Sequence, residues 1–298
     1  MNILVTGARG QLGRDCIRVL SGAHAVTGFD SRELDITDPE QVKDCFAALR
    51  PEVVINCAAC TAVDRCETEQ ERCLRVNGEG PGVLAAACDR ISARLIHIST
   101  DYVFDGSKKV PEPYCEDDAP GPLSVYGMSK LTGEERIRER LENHLILRSS
   151  WLYGMGGANF LKTMLRLALA DPDRTIRVVN DQFGALTWTF RLARQIETLL
   201  SVELTGIVHA GAEGYGTWCE GAGLFLKAMR VPFSLEPCTT AEYPTPARRP
   251  ANSILENAVL KNKGLNRMVA WEEDVKTFAE RHRQDLLTEA AASLQACS

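Results

Sequence analysis

The sequence predicts an α/β protein built on a doubly wound parallel sheet, with a smaller C-terminal domain. Three observations predict it. Short apolar runs recur through the first half: Ile3-Leu4-Val5, Ala25 to Phe29, Val53-Val54-Ile55-Asn56, Leu95-Ile96-His97-Ile98 and Leu145-Ile146-Leu147. Runs that are apolar on both faces suit parallel strands covered on each side. Amphipathic segments lie between them, Gln11 to Ser21, Pro39 to Leu49 and Pro81 to Arg90, with the periodicity of helices. Glycines spaced Gly7-x-x-Gly10-x-x-Gly13 join the first run to the first of these segments.

Taken in order, the first strand ends at the glycine turn. Gly7 allows a tight turn, Gly10 lets the backbone approach a pyrophosphate, and Gly13 lets helix and sheet pack closely. The spacing is one residue wider at its start than the usual dinucleotide fingerprint. The helix N-terminus then supplies amide donors and partial positive charge to phosphates. This makes the sheet Rossmann-like. Asp30 closes the second strand, where it would accept hydrogen bonds from adenine-ribose hydroxyls and favour NADH. Neighbouring Arg32 suits a 2′-phosphate instead, so both NADH and NADPH stay open. Asp35-Ile36 reads as the next short strand and a candidate adenine contact, with a turn cap as the alternative role for Asp35.

Counting that segment, Ser99-Thr100-Asp101 falls at the C-terminal end of a fifth strand, the edge where open α/β sheets bind ligands. Residues 105–123 contain four prolines and two glycines and read as a long loop, of the kind that serves as a lid or is disordered. Tyr126 and Lys130 follow, four residues apart at the start of a helix and therefore on one face. A ketone that accepts hydride needs a proton on oxygen as charge develops. A phenol titrates at about 10, and a neighbouring ammonium is expected to lower that value. Lys130 would also hold the nicotinamide ribose, and Thr100 would orient the carbonyl.

Past Arg148 the pattern loosens, with one helix from about Asn159 to Ala170 and a proline-rich passage from Pro232 to Pro250. The expected division is a dinucleotide-binding domain over 1–148, with returning elements around 186–230, and a substrate-binding domain from 149–185 and 231–298. Length and composition agree: 298 residues at 45% apolar content bury a large core. A net charge of −6 with interspersed signs leaves no basic tract for nucleic acid and no membrane patch. No apolar run approaches the ~18 residues that span a bilayer, and Met1-Asn2 leads straight into a strand, so a cytoplasmic protein is expected. The eleven cysteines suit reduced, buried thiols. Cys57 and Cys60, followed by Cys66 and Cys73, lack the second Cys-x-x-Cys or the histidines of a zinc tetrad, so no metal is expected.

Longer strings narrow the reading. VVINCAACTAVDRCE (53–67), STDYVFDG (99–106), SVYGMSKLTGE (124–134), LRSSWLYG (147–154), NFLKTML (159–165), VVNDQFGALT (178–187) and ARRPANS (247–253) resemble, in order and spacing, the dTDP-4-dehydrorhamnose reductases. These belong to the extended short-chain dehydrogenases/reductases. The resemblance implies NAD(P)H-dependent reduction of the 4-keto group of a dTDP-sugar. It assigns Thr100, Tyr126 and Lys130 to catalysis, Gly10, Gln11 and Leu12 to the pyrophosphate, and Ala59, Cys60 and Thr61 to the cofactor wall. Thr100, Asp101 and Trp151 would contact the sugar nucleotide, with Asn159 and Arg249 as weaker carry-overs. Some members form magnesium-bridged dimers through glutamates. Here Asp15 and Phe190 stand at two of those positions, so a monomer or weak homodimer without a bridging metal is expected. Leu186 replaces a usual proline and Cys60 a common histidine. Two other readings stay open: an epimerase or dehydratase of the same superfamily, and a non-catalytic NADP-binding subunit like that of methionine adenosyltransferase.

Overall fold

The computed structural model describes residues 1–295. Its first half contains strands β1 (Asn2–Thr6), β2 (Ala25–Phe29), β3 (Val53–Asn56), β4 (Arg94–Thr100) and β5 (His144–Ser149). The intervening helices are α1 (Gln11–Leu20), α2 (Pro39–Leu49), α3 (Val63–Thr68), α4 (Gln70–Leu74), α5 (Gly80–Arg90) and α6 (Val125–Arg138), with a π-helical turn at Arg75–Glu79. The second half adds β6 (Leu152–Tyr153), α7 (Phe160–Ala170), β7 (Thr175–Val179), β8 (Phe183–Gly184), β9 (Thr187–Trp188), α8 (Thr189–Leu200) and β10 (Gly206–His209). It closes with β11 (Gly216–Thr217), α9 (Trp218–Met229), β12 (Ser234–Cys238), α10 (Ala258–Asn262) and α11 (Trp271–Gln295).

Six strands form one parallel sheet in the order β2-β1-β3-β4-β5-β10. Successive side chains point to opposite faces, and both faces are covered. Ile3, Val5, Ile55, Ile96, Leu145 and Leu147 pack with α1 and α8. Leu4, Val54, Leu95 and Ile146 pack with α2, α5 and the end of α6. The chain moves from β1 outward to β2 and then returns to β3 on the other side, so a crevice opens at the carboxyl ends of β1 and β3.

A second core gathers α7, α9, α11, β7 and the 183–188 segment around Trp188, Phe225 and Phe278. Residues 186–230 divide between the two: α8 and β10 complete the sheet layer, whereas Phe225, Leu226 and Met229 of α9 pack in the second core. Among the described residues, no helix is long and apolar enough to cross a membrane.

One expectation needs correction. Asp35 and Ile36 form no strand; they lie in the turn-rich connection ahead of α2. Asp35 instead accepts hydrogen bonds from Thr37 N–H (2.9 Å) and Thr37 Oγ1 (2.8 Å), closing a turn that a strand would preclude. Thr100 consequently ends the fourth strand, not a fifth. The 105–123 segment contributes no residue to the lining of the cleft. It is strapped to residues 252–256: Tyr114 N–H donates to Ile254 O (2.8 Å), Glu256 N–H to Tyr114 O (2.8 Å), and Asn252 Nδ2 to Glu112 O (2.8 Å). Tyr114 also stacks on buried Phe104 with ring centres 4.3 Å apart.

Candidate active site

A cleft of about 830 Å³ follows the carboxyl edge of the sheet and is lined from both layers. Its first wall is the glycine turn. Gly7 adopts φ 65°, in the left-handed region, and a Cβ there would stand 2.7 Å from Ala58 N. Gly10 caps α1 without a side chain, and the first-turn amides of a helix have no intrahelical partners. Such a cradle fits a dinucleotide pyrophosphate. Gln11 and Leu12 line the cleft beside it. At the end of β2, Asp30 is bound by Arg9 Nε (2.8 Å), Arg32 Nη2 (3.1 Å) and Arg32 N–H (2.9 Å). The Arg32 amide foremost, then the two guanidiniums, hold its carboxyl below the usual range. Two cations therefore gather on the carboxylate that closes β2.

The facing wall is residues 57–61, with Ala59, Cys60 and Thr61 lining the cleft and Asp35 and Ile36 further along. The π-helical turn aims Asn77 at this wall, where its side chain accepts from Cys60 N–H (2.8 Å) and donates to Cys60 O (3.0 Å).

At the centre, β4 delivers Thr100 and α6 delivers Tyr126. Ser124 caps that helix by accepting from Gly127 N–H at 3.1 Å, which seats Tyr126 in the first turn with Lys130 one turn on. The Thr100 hydroxyl hydrogen-bonds the Tyr126 phenol and reaches Asp101 Oδ1 at 2.9 Å. Burial pushes the Tyr126 phenol above its ordinary value, the reverse of the expected lowering. The reason is where Lys130 points. Its Nζ donates to Ile98 O (2.6 Å) and lies 3.2 Å from His97 Nε2, and these are its hydrogen-bond partners. Burial in turn brings Lys130 down to about 8. Asp101, 2% exposed, is raised to about 6, again by burial.

The outer end is aromatic. Trp151 stacks on Trp218 with ring centres 3.7 Å apart, and Phe160 meets Trp218 edge-on at 4.7 Å. Trp151 holds φ 47°, an uncommon conformation for a bulky residue and one that recurs at functional sites. Asn159 caps α7 and donates to Gln11 Oε1 (3.0 Å), joining the two layers across the cleft. Arg249 does not line the cleft. It pairs with Asp64 at 3.0 Å and reaches the site only through the side chain of Tyr102.

Thr100, Tyr126, Lys130, Asp101, Trp151 and Asn159 are thus brought together, and Arg249 is not. Sequence reasoning passed over Trp218, Arg9, Asn77 and His97. An arginine between two motif glycines and a histidine inside an apolar strand were the available signals. Asp15 and Phe190 are engaged within the chain. Asp15 accepts from Thr189 Oγ1 (2.5 Å) and Arg18 (2.8 Å), and Phe190 lies under the guanidiniums of Arg18 and Arg281. Among the described residues, no group of three or more His, Cys, Asp or Glu is disposed to hold a metal ion.

A family model described as the RmlD substrate binding domain matches residues 1–284. The chain is 43% identical over 277 residues to the dTDP-4-dehydrorhamnose reductase of Streptomyces griseus, covering 90% of each chain. It belongs to the dTDP-4-dehydrorhamnose reductase family. Solved structures of the family agree. The reductase from Clostridium acetobutylicum superposes with a TM-score of 0.91 at 39% identity, over 94% of this chain and 99% of that one. The Bacillus anthracis reductase, solved in complex with NADP, superposes with a TM-score of 0.90 at 36% identity, over 94% and 98%. Membership of this family places an α/β oxidoreductase around the cleft described above.

Proposed function

We propose that the protein reduces the 4-keto group of dTDP-4-dehydro-L-rhamnose to give dTDP-L-rhamnose, using NADPH or NADH. The observation that carries this reading is the meeting of Thr100, Tyr126 and Lys130 in the same cleft as the glycine cradle. A bound nicotinamide dinucleotide, held at the glycine turn of Gly7, Gly10 and Gly13, would supply hydride to the carbonyl carbon, and everything else falls to the chain. Thr100 orients the carbonyl oxygen by hydrogen bonding. Tyr126 keeps its proton near neutrality, because burial disfavours the phenolate, and releases it to the more basic alkoxide as charge develops. The stacked Trp151 and Trp218 present an apolar wall to the sugar nucleotide and exclude water from it. Arg9 and Arg32, already gathered on Asp30, suit a 2′-phosphate.

In a superfamily dehydratase a second acid follows the threonine-aspartate pair; here Tyr102 follows Asp101. Mixing purified protein with the dTDP-4-keto sugar and NADPH or NADH tests the reading. Stoichiometric loss of reduced-nicotinamide absorbance is expected. Turnover of substrate without net cofactor consumption would point to the epimerase. Tyr126→Phe should lower kcat by roughly 10²–10⁴, the usual worth of a positioned proton donor. Unchanged biological activity in that variant would favour a binding subunit instead.

A further inference from the structure

Three polar side chains interrupt the apolar face that α6 covers, and register aligns them: Thr6 pairs with Asn56, and Asn56 with His97. All three are buried. Their hydrogen bonds allow one direction only. Ala58 N–H, a backbone donor that cannot reverse, points at Asn56 Oδ1 from 3.1 Å, and Thr6 Oγ1 donates to the same oxygen at 2.7 Å. Flipping the amide would set two donors face to face. Asn56 Nδ2 therefore donates to His97 Nδ1 at 3.0 Å. That nitrogen must be the unprotonated one, so the neutral ring carries its proton on Nε2. Burial foremost keeps the ring neutral.

The partner of Nε2 is Lys130 Nζ at 3.2 Å. An ammonium has no lone pair with which to accept that proton. We propose that His97 is a positioning residue that favours the free-amine form of Lys130 in the cofactor-free protein, accepting from the ring and donating to Ile98 O, until a ligand recruits its Nζ. To become an ammonium, taking its proton from water, Lys130 must leave His97 or His97 must release Asn56. Because Ala58 sits in the wall of the cleft, the chain of bonds ties the shape of that wall to the charge of Lys130. The other ionisable groups facing Lys130 are Glu134 on its own helix, bound to Arg148, Cys57 after β3, and Cys73 on α4; none donates a proton toward Nζ.

The proposal rests on the assignment of Lys130 to the reacting centre, but its first test needs no turnover and so stands or falls separately. Long-range ¹⁵N imidazole spectra of the full chain without cofactor, with His97 assigned through His97→Asn, should show a bare Nδ1 and a protonated Nε2. A protonated Nδ1 would overturn it. Asn56→Asp puts an acceptor opposite Nδ1. The ring should then switch to Nδ1–H, and the Lys130 titration, followed by the ¹³C resonance of its Cε, should move upward from about 8 by about one pH unit or more. A switched ring with an unmoved lysine, or a ring that does not switch, would refute the coupling. If Asn56→Asp does not fold, the tautomer in the unsubstituted protein decides alone.

Discussion

Glu134→Leu tests the support beneath the catalytic edge. Glu134 and Arg148 are 1% and 2% exposed in their side chains, and they join α6 to the end of β5. The carboxylate accepts from Arg148 Nε (3.0 Å), Arg148 Nη2 (2.6 Å) and Ser99 Oγ (2.5 Å). Phe104 provides the only other favourable surface for the guanidinium among the contacts described, 5.1 Å from its ring centre. Leucine in place of Glu134 leaves Arg148 buried and unpaired. Such a loss costs ~3–5 kcal/mol, against a total stability of roughly 5–15 kcal/mol. Replacing both partners, Glu134→Leu with Arg148→Met, removes the stranded charge and should return the protein to within about 2 kcal/mol of its starting stability. Urea unfolding followed by tryptophan fluorescence and circular dichroism would give all corners of the cycle. A single variant that loses less than about 1 kcal/mol, or a double variant no better than the single, would refute the claim that an uncompensated charge sets the cost.

Asp101 gives a pH signature. Its folded value of about 6 lies above the ordinary 3.8, so between those values the folded state binds more protons than the unfolded chain. Stability from this group therefore falls as pH rises from about 4 to about 6, by ~3 kcal/mol at most. Asp101→Asn should flatten that part of the pH dependence of the melting temperature; an unchanged slope would contradict it. Gly184→Ala would put a methyl carbon 2.7 Å from the Trp151 ring. It should raise KM for the sugar nucleotide with little change in cofactor affinity, as measured by separate titrations. Replacing Arg9 and Arg32 with alanine should lower kcat/KM for NADPH by about tenfold or more while sparing NADH, since each charge-assisted bond is worth ~1.5–3 kcal/mol. Equal losses with both cofactors would argue against contact with a 2′-phosphate.

The sheet was legible because its strands are apolar on both faces, and the glycine turn because each glycine answers a local steric demand. Tyr126 and Lys130 were legible for the same reason, as helical spacing alone puts them on one side. Asp35-Ile36 misled because two residues carry no periodicity, and local bonds to Thr37 outweighed any pairing with the sheet. The 105–123 segment was legible as a loop, but composition does not show what it packs against; its partners lie about 140 residues away, at 252–256. Trp218 could not be placed beside Trp151 from spacing, since only the folding of α9 onto the second core brings them together.

The amino-acid sequence by itself determined the parallel sheet, the glycine turn that opens the first helix and the pairing of a phenol and an ammonium on one helix face, since all of these follow from residue type and short-range spacing. Tertiary structure alone decided the directions of the bonds. Lys130 is hydrogen-bonded to His97 and Ile98, and Arg249 is taken up by Asp64. The physical reason is that donors and acceptors in a buried, low-dielectric site must be satisfied by whichever partners the packed strands and helices bring within reach.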